Sequence, residues 1–444
     1  MKRLVFNHLR AWKQSPLRKP LILKGVRQVG KTWLLKEFGR VAYEHVAYFN
    51  FEESPEYKEF FAKSKDPKRI LPNLSMASAQ VITPGTTLVI FDEIQEAPDA
   101  LNALKYFHER APEYHVACAG SLLGIALARP SSFPVGQTDF LQVHPLTFTE
   151  FLLANGKTNL AAYMESLEDL EPLPVAFFQP LLEQLRLYLA TGGMPEAVNG
   201  WVQYHDAAIV ERTLQNLLDA YERDFAKYPD PATFPKLTQA WHSLPAQLSK
   251  ENRRFIYSAV KKGARGRDFE DALQWLVSSQ LVFKVPRITA PGLPVTAYDD
   301  PEAFKIYAAD SGLLRRMAHL PPAVFTEGSK LFSEFKGALA ENYVLQALAP
   351  QFDTLPRYWS RLNPSYEVDF IIQRGNEIIP VEVKAADNVH ATSLKKYKEM
   401  FPEQTRLRVR FSMANLRLDG DLLNIPLFLA DEAGRLIGAA LGKL

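Results

Sequence analysis

The chain of 444 residues has a single cysteine, Cys118, so no disulfide can form within it, which fits a reducing cytoplasm. Charge of either sign is not in excess: 52 Lys and Arg face 50 Asp and Glu. Net charge therefore offers no argument for a nucleic-acid partner, and any such contact has to come from a local patch. Long apolar runs are missing as well. None approaches the roughly 18 residues of a membrane helix, so no membrane partner is expected. Internal repeats and low-complexity tracts are absent, which excludes a repeat architecture. Acids are missing from the first 19 residues, which carry Lys2, Arg3, Arg10, Lys13, Arg18 and Lys19. That bias suits a transit peptide. A strand already begins at Leu21, however, and leaves little room for cleavage. An amphipathic helix through Leu4, Phe6, Leu9 and Trp12, packed on the sheet that follows, is the preferred reading.

What is present is ordinary globular material, 47% hydrophobic and 23% charged. The length exceeds one core, so several domains are expected. The most specific stretch is Gly25-Val26-Arg27-Gln28-Val29-Gly30-Lys31-Thr32, a full G-x-x-x-x-G-K-[ST] phosphate loop. An apolar strand, Leu21 to Leu23, enters it, and an amphipathic helix leaves it through Trp33, Leu34, Leu35 and Phe38. The physics requires that order. Glycines let the backbone curl so that successive N–H groups point at phosphate oxygens, and the helix N-terminus adds positive dipole. Lys31 is placed for the β- and γ-phosphates and Thr32 for Mg²⁺. ATP and Mg²⁺ are thus the expected ligands.

A hydrolase also needs acids. Leu88-Val89-Ile90-Phe91-Asp92-Glu93 reads as a buried parallel strand ending in two carboxylates. Ligands of open α/β sheets bind at that end. Asp92 is expected to hold Mg²⁺ and Glu93 to polarise the attacking water. A further strand, His115 to Ala119, ends in Gly120-Ser121, either a turn or a polar sensor of the γ-phosphate.

Candidate strands at 21–25, 45–51, 87–92, 114–119 and 140–144 alternate with helix patterns, which implies a parallel sheet with helices on both faces. Residues 151–232 read as a helical lid, broken by Gly192-Gly193-Met194-Pro195-Glu196. Residues 233–300 read as three helices and two short strands, at 281–284 and 294–298, a winged-helix pattern. Within it Lys250, Arg253, Arg254, Lys261, Lys262, Arg265 and Arg267 stand against one acid, Glu251. Such a stretch tracks DNA phosphates, meets an acidic protein partner, or is a solvated face. The expected layout is a P-loop core at 1–150, the lid, the winged helix, and a final domain at 301–444.

That last domain holds a second constellation. Glu367-Val368-Asp369 and Glu382-Val383-Lys384 flank the turn Gln373 to Asn376 and read as a β-hairpin. Side chains alternate with period two, so Glu367 and Asp369 share a face, as do Glu382 and Lys384. Two carboxylates and a lysine suit a second Mg²⁺ site, with Glu341 from a helix as a third carboxylate and Lys384 as the nuclease-type lysine. The pattern is that of a PD-(D/E)XK nuclease; the competing reading is an ion-paired face on a half-buried hairpin.

Together these segments resemble a family of prokaryotic AAA+-like ATP-binding proteins with a C-terminal domain of unknown function. The points of contact include Arg18 to Gly25, Arg27 to Thr32, Phe91 to Gln95, Ala119 to Ser121, Pro145-Leu146-Thr147-Phe148-Thr149-Glu150-Phe151, Gly192 to Glu196, Phe304 to Tyr307 with Asp310 to Leu314, and the Glu367 and Glu382 motifs. The resemblance implies an α/β multidomain chain: an additional-strand P-loop ATPase core, a helical lid, a winged helix and an α/β nuclease-like domain. It also implies that Ser121 is a sensor and that Pro195, in a G-x-P element, packs near adenine. Val26, Trp33 and Gln137 depart from the family's common Pro, Thr and basic residue. Arg27 and Arg129 are the other basic candidates for the finger. Two outputs follow: nucleotide state controls a nuclease-like, DNA-acting domain, or it operates a signalling switch whose inactive C-terminal domain binds protein or nucleic acid.

Overall fold

The computed structural model describes residues 1–120, 136–227, 233–249, 254–323, 333–362, 365–385 and 392–444. Ser121, Arg129, Lys250 and Arg253, singled out above, lie outside them. The chain divides into two compact units, one made of Arg3–His144 with Ser278–Leu281, the other of Pro145–Val277 and Val282–Leu444 with the first two residues.

The first unit is built on five strands, β1 (Leu21–Lys24), β2 (His45–Asn50), β3 (Thr87–Asp92), β4 (His115–Cys118) and β5 (Asp139–Gln142). They lie in the order β2-β3-β4-β1-β5, and every pairing is parallel. Strand β3 is buried along its whole length, which explains its continuous apolar run. Phe91 on it meets Phe49, Phe51, Phe61 and Phe107 with ring centroids 5.5–6.2 Å apart. Such rings bury large apolar areas and supply much of this core's stability. The N-terminal helix forms over Phe6–Gln14 and buries Leu9 and Trp12, while Leu4 stays exposed before it. Trp12 Nε1 donates to Lys19 O at 2.8 Å and so ties the helix to the entry of β1.

The second unit opens with helices Phe148–Ala154, Thr158–Glu165, Val175–Thr191, Pro195–Tyr204 and Ala207–Lys227. Three more follow, Phe234–Leu248, Tyr257–Val260 and Gly266–Ser278, and then an antiparallel pair, β6 (Val282–Ile288) and β7 (Asp299–Ala308). The second strand thus differs from the expectation: Val295–Tyr298 is a 3-10 turn after Pro294, and pairing starts at Asp299. The hairpin is also not a separate wing. It is one end of an eight-stranded mixed sheet in the order β12-β13-β11-β10-β9-β8-β6-β7, with β8 (Arg357–Leu362), β9 (Ser365–Arg374), β10 (Glu377–Val383), β11 (Arg408–Ser412), β12 (Arg417–Asp419) and β13 (Leu422–Pro426). Residue 300 lies inside β7, so the sheet runs through the boundary expected there.

Helix Ser333–Leu348 is buried at every residue from Ala338 to Leu348. An all-round buried helix is the centre of a core rather than its cover. Two of its buried amide side chains are satisfied locally. Asn342 accepts from Ala308 N at 2.8 Å and donates to Ala308 O at 3.1 Å, and Gln346 Oε1 takes both the N–H and the hydroxyl of Ser311 at 2.9 Å.

Candidate functional site

The loop from Gly25 to Thr32 joins β1 to helix Lys31–Ala42. Gln28 and Gly30 adopt positive φ, 64° and 93°. Such a left-handed curl lines up backbone N–H groups as an anion nest. Val26 and Val29 are buried and anchor the loop from beneath. At Gly25 a Cβ would stand 2.5 Å from Val143 O, so the loop's approach to the end of β5 requires glycine. Arg3 reaches across to donate to Val29 O at 3.2 Å and His144 O at 2.6 Å. Trp33, in the helix's first turn, is exposed.

Lys31 is 6% exposed, and its ammonium donates to Gly25 O at 2.8 Å and Val26 O at 3.1 Å. Burial lowers its pKa to about 8; the Glu93 and Asp92 charges oppose the shift and Arg27 adds to it. The lysine is held over the loop by carbonyls that a phosphate can replace.

Asp92 ends β3 and is 3% exposed. Its Oδ1 accepts from Thr32 Oγ1 and from Glu93 N, both at 3.1 Å. Its Oδ2 accepts from the Tyr48 hydroxyl at 2.8 Å. Glu93 follows in a left-handed conformation, φ 49°, and its Oε2 accepts from Gln95 Nε2 at 2.6 Å. A hydroxyl and a carboxylate in contact at a phosphate loop are a fitting donor pair for Mg²⁺: Thr32 as direct ligand, Asp92 directly or through water. Residue pattern alone did not point to Tyr48, Gln95 or Arg3. Tyr48 had one signal, its place on the strand beside β3, paired with Ile90 two rungs before Asp92.

In the second unit, Asp369 and Glu382 each lie one residue beyond Phe370 and Val381, the end rung of the β9–β10 ladder. Asp369 Oδ2 accepts from Val383 N at 2.8 Å. Glu382 is 3% exposed and paired with Lys384 at 2.8 Å. Burial pushes the Glu382 carboxyl up, the Lys384 hydrogen bond opposes this, and the Asp369 charge adds to it. Glu341 accepts from the Tyr307 hydroxyl at 3.1 Å, and Glu367 is paired with buried Lys305. Among the described residues no three His, Cys, Asp or Glu gather in a way that could hold a metal ion. Arg254, Lys261, Lys262, Arg265 and Arg267 are all exposed.

Pro195 opens helix Pro195–Tyr204. The corner before it is locked to Asp310-Ser311-Gly312: Asp310 Oδ2 accepts from Gly193 N at 2.6 Å and from Gln346 Nε2 at 3.2 Å. The Pro145-to-Phe151 motif has an equally local cause. Thr147 and Glu150 form a reciprocal capping box at the start of helix Phe148–Ala154, and Asp431 Oδ2 accepts from Thr149 N at 2.7 Å.

Residues 17–152 match the family model described as AAA domain. This part of the chain is similar to AAA domains. Residues 182–323 and 336–428 match two domains of unknown function, DUF8612 and DUF4143. No curated protein matches the chain. Among solved structures, the Walker-type ATPase of Pyrococcus abyssi is similar at 14% identity over 70% of this chain and 94% of its own, with a TM-score of 0.43. The Orc1 protein of Aeropyrum pernix, solved in complex with DNA, is similar at 12% identity over 73% and 94%, TM-score 0.28. AMPPCP-bound DnaA from Aquifex aeolicus is similar at 13% over 62% and 87%, TM-score 0.30. No described helix is long and apolar enough to cross a membrane.

Proposed function

We propose that the AAA+-like domain binds ATP with Mg²⁺ on Gly25–Thr32 and hydrolyses it. The observation that carries this reading is the contact of Thr32 Oγ1 with Asp92 Oδ1 at 3.1 Å, beside a lysine buried against the loop's own carbonyls. When bound, the metal would neutralise charge on the transferring phosphoryl group. The loop's N–H groups and Lys31 hold the phosphates, Thr32 and Asp92 hold the cation, and Glu93 orients the attacking water. Lys31→Ala should abolish phosphate release, and Glu93→Gln should leave ATP bound but uncleaved. Unchanged turnover in either variant refutes the assignment.

For the output we propose a nucleotide-operated switch acting on DNA or a protein through the second unit. The exposed basic set Arg254, Lys261, Lys262, Arg265 and Arg267 is the proposed contact for DNA phosphates. The nuclease-like reading draws on the Asp369–Glu382–Lys384 cluster. Against cleavage stand the Tyr307 bond of Glu341 and the pairing of Glu382 with Lys384. Plasmid cleavage with Mg²⁺ or Mn²⁺, comparing wild type with Asp369→Ala and Lys384→Ala, separates the two. Cleavage that both variants lose would establish the nuclease; DNA binding without cleavage supports the switch.

A further inference from the structure

Gln95 is hydrogen-bonded at one end of its amide and packed closely at the other. Nε2 donates to Glu93 Oε2 at 2.6 Å, a short charge-assisted bond. Oε1 faces Gly120, where a Cβ would come within 2.1 Å of it. Only glycine leaves room for the amide at that point. The backbone closes the same joint, since Ile94 N donates to Ala119 O at 3.1 Å and Ala119 N to Phe91 O at 2.9 Å. The end of β3, which carries Asp92 and Glu93, is therefore fastened to the end of β4, with the Gln95 side chain seated between them.

This seat has a cost. Oε1 is buried, and among the described residues no group donates to it. A buried carbonyl without a donor forgoes the water bonds it has in the unfolded chain and is destabilising. Reversing the amide would not help, because it would set the oxygen against the Glu93 carboxylate. The amide orientation is thus fixed by Glu93 and by nothing else described around it. An unsatisfied buried group retained in this way calls for a reason, and orienting a catalytic carboxylate is one.

We propose that Gln95 is the positioning residue for Glu93, and that Gly120 is glycine so that Gln95 can reach it. This rests on the hydrolase reading above. Gln95 acts on Glu93 alone and fixes the direction from which Glu93 receives the water proton. The distinguishing consequence is that its effect passes entirely through Glu93.

The test is steady-state ATP hydrolysis, ATP affinity and melting temperature for wild type, Gln95→Leu, Gly120→Ala, Glu93→Gln and the double variant Gln95→Leu/Glu93→Gln. Gln95→Leu keeps the volume and removes the bond. Gly120→Ala leaves Gln95 in place chemically and displaces its amide. Both should lower kcat by about 10- to 100-fold, with KM for ATP and ATP affinity within about threefold of wild type. In the double variant Gln95→Leu should add nothing to the loss from Glu93→Gln. If Gln95→Leu and Gly120→Ala fold and keep wild-type kcat while Glu93→Gln does not, this proposal falls and the hydrolase reading stands. A further loss in the double variant also overturns it, since Gln95 would then act elsewhere. A wild type that does not hydrolyse ATP overturns both.

Discussion

Tyr48 donates its hydroxyl to Asp92 Oδ2 at 2.8 Å, and the ammonium of Lys36 lies 3.6 Å from the centre of the same ring. The cation on its face draws density from the phenol and makes it a stronger donor. Asp92 is thereby gripped on both oxygens, by Thr32 and Glu93 N on one and by Tyr48 on the other. Removing the hydroxyl as Tyr48→Phe frees the second oxygen while keeping the ring. The apparent affinity for Mg²⁺ in ATP hydrolysis should fall about tenfold, as is usual when a partner of a metal-binding carboxylate is lost. ATP binding without metal should be unaffected. A metal titration of hydrolysis that is identical in the two proteins would show that Tyr48 only packs.

Lys31 supplies a dependence on pH. Burial lowers its pKa to about 8, with the Gly25 and Val26 carbonyls as its hydrogen-bond partners. Phosphate binds the protonated form and favours it, so ATP binding takes up a proton where the free lysine is neutral. Affinity should therefore be level below about pH 7 and weaken as pH rises through about 8. Calorimetry in two buffers of different ionisation enthalpy at pH 8.5 should show proton uptake, absent in Lys31→Met.

Much of this site was legible because its parts are local. A phosphate loop is eight consecutive residues, and β3 announces itself as an apolar run because it is buried along its length. What was hidden depends on contacts across sequence. Tyr48 and Asp92 meet only through strand register, and Gln95 finds Gly120 only after β3 and β4 align. The missed strand β7 is instructive. The Asp-rich stretch Asp299-Asp300-Pro301 reads as a domain boundary, yet Asp299 is paired with Arg357 at 3.0 Å and Asp300 with Arg287 Nε at 3.0 Å, so partners on β8 and β6 hold these residues in a strand. Val295 to Tyr298, β-branched and aromatic, has no such pairing and forms a 3-10 turn. The C-terminal carboxylates share residue type with a metal site, but residue type does not show that Tyr307 already occupies Glu341.

The Gly192 corner predicts a severe packing defect. Gly192 and Gly312 approach so closely that a Cβ on Gly312 would lie 2.6 Å from Thr191 O and 2.7 Å from Gly192 Cα. Those are backbone atoms and cannot swing aside. Gly312→Ala should thus destabilise the second unit by about 2–4 kcal/mol, in the range of overpacked sites with backbone shifts. Asp310→Ala, which strips the acceptor from Gly193 N and Leu313 N, should cost a similar amount, roughly 2–4 kcal/mol. Denaturant unfolding measures both; a change below about 1 kcal/mol in either would mean that the corner is not held as described.

Asp431 predicts how stability varies with acid. Burial raises its pKa to about 6, against hydrogen bonds from Thr149 and Thr147 that pull it down. In the unfolded chain an aspartate titrates near 3.9. Between about pH 4 and pH 6 the native state therefore holds a proton that the unfolded state has released. Stability from this group is fully present below pH 4 and is lost as pH rises through 6. The loss amounts to at most about 3 kcal/mol, two pKa units of differential binding. Asp431→Asn keeps an acceptor for Thr149 N and cannot titrate. Its stability relative to wild type should rise between pH 4 and 6.5 and then level off, seen as melting temperatures compared across that range. A constant difference between the two proteins would show that the carboxyl titrates alike in the folded and unfolded chains.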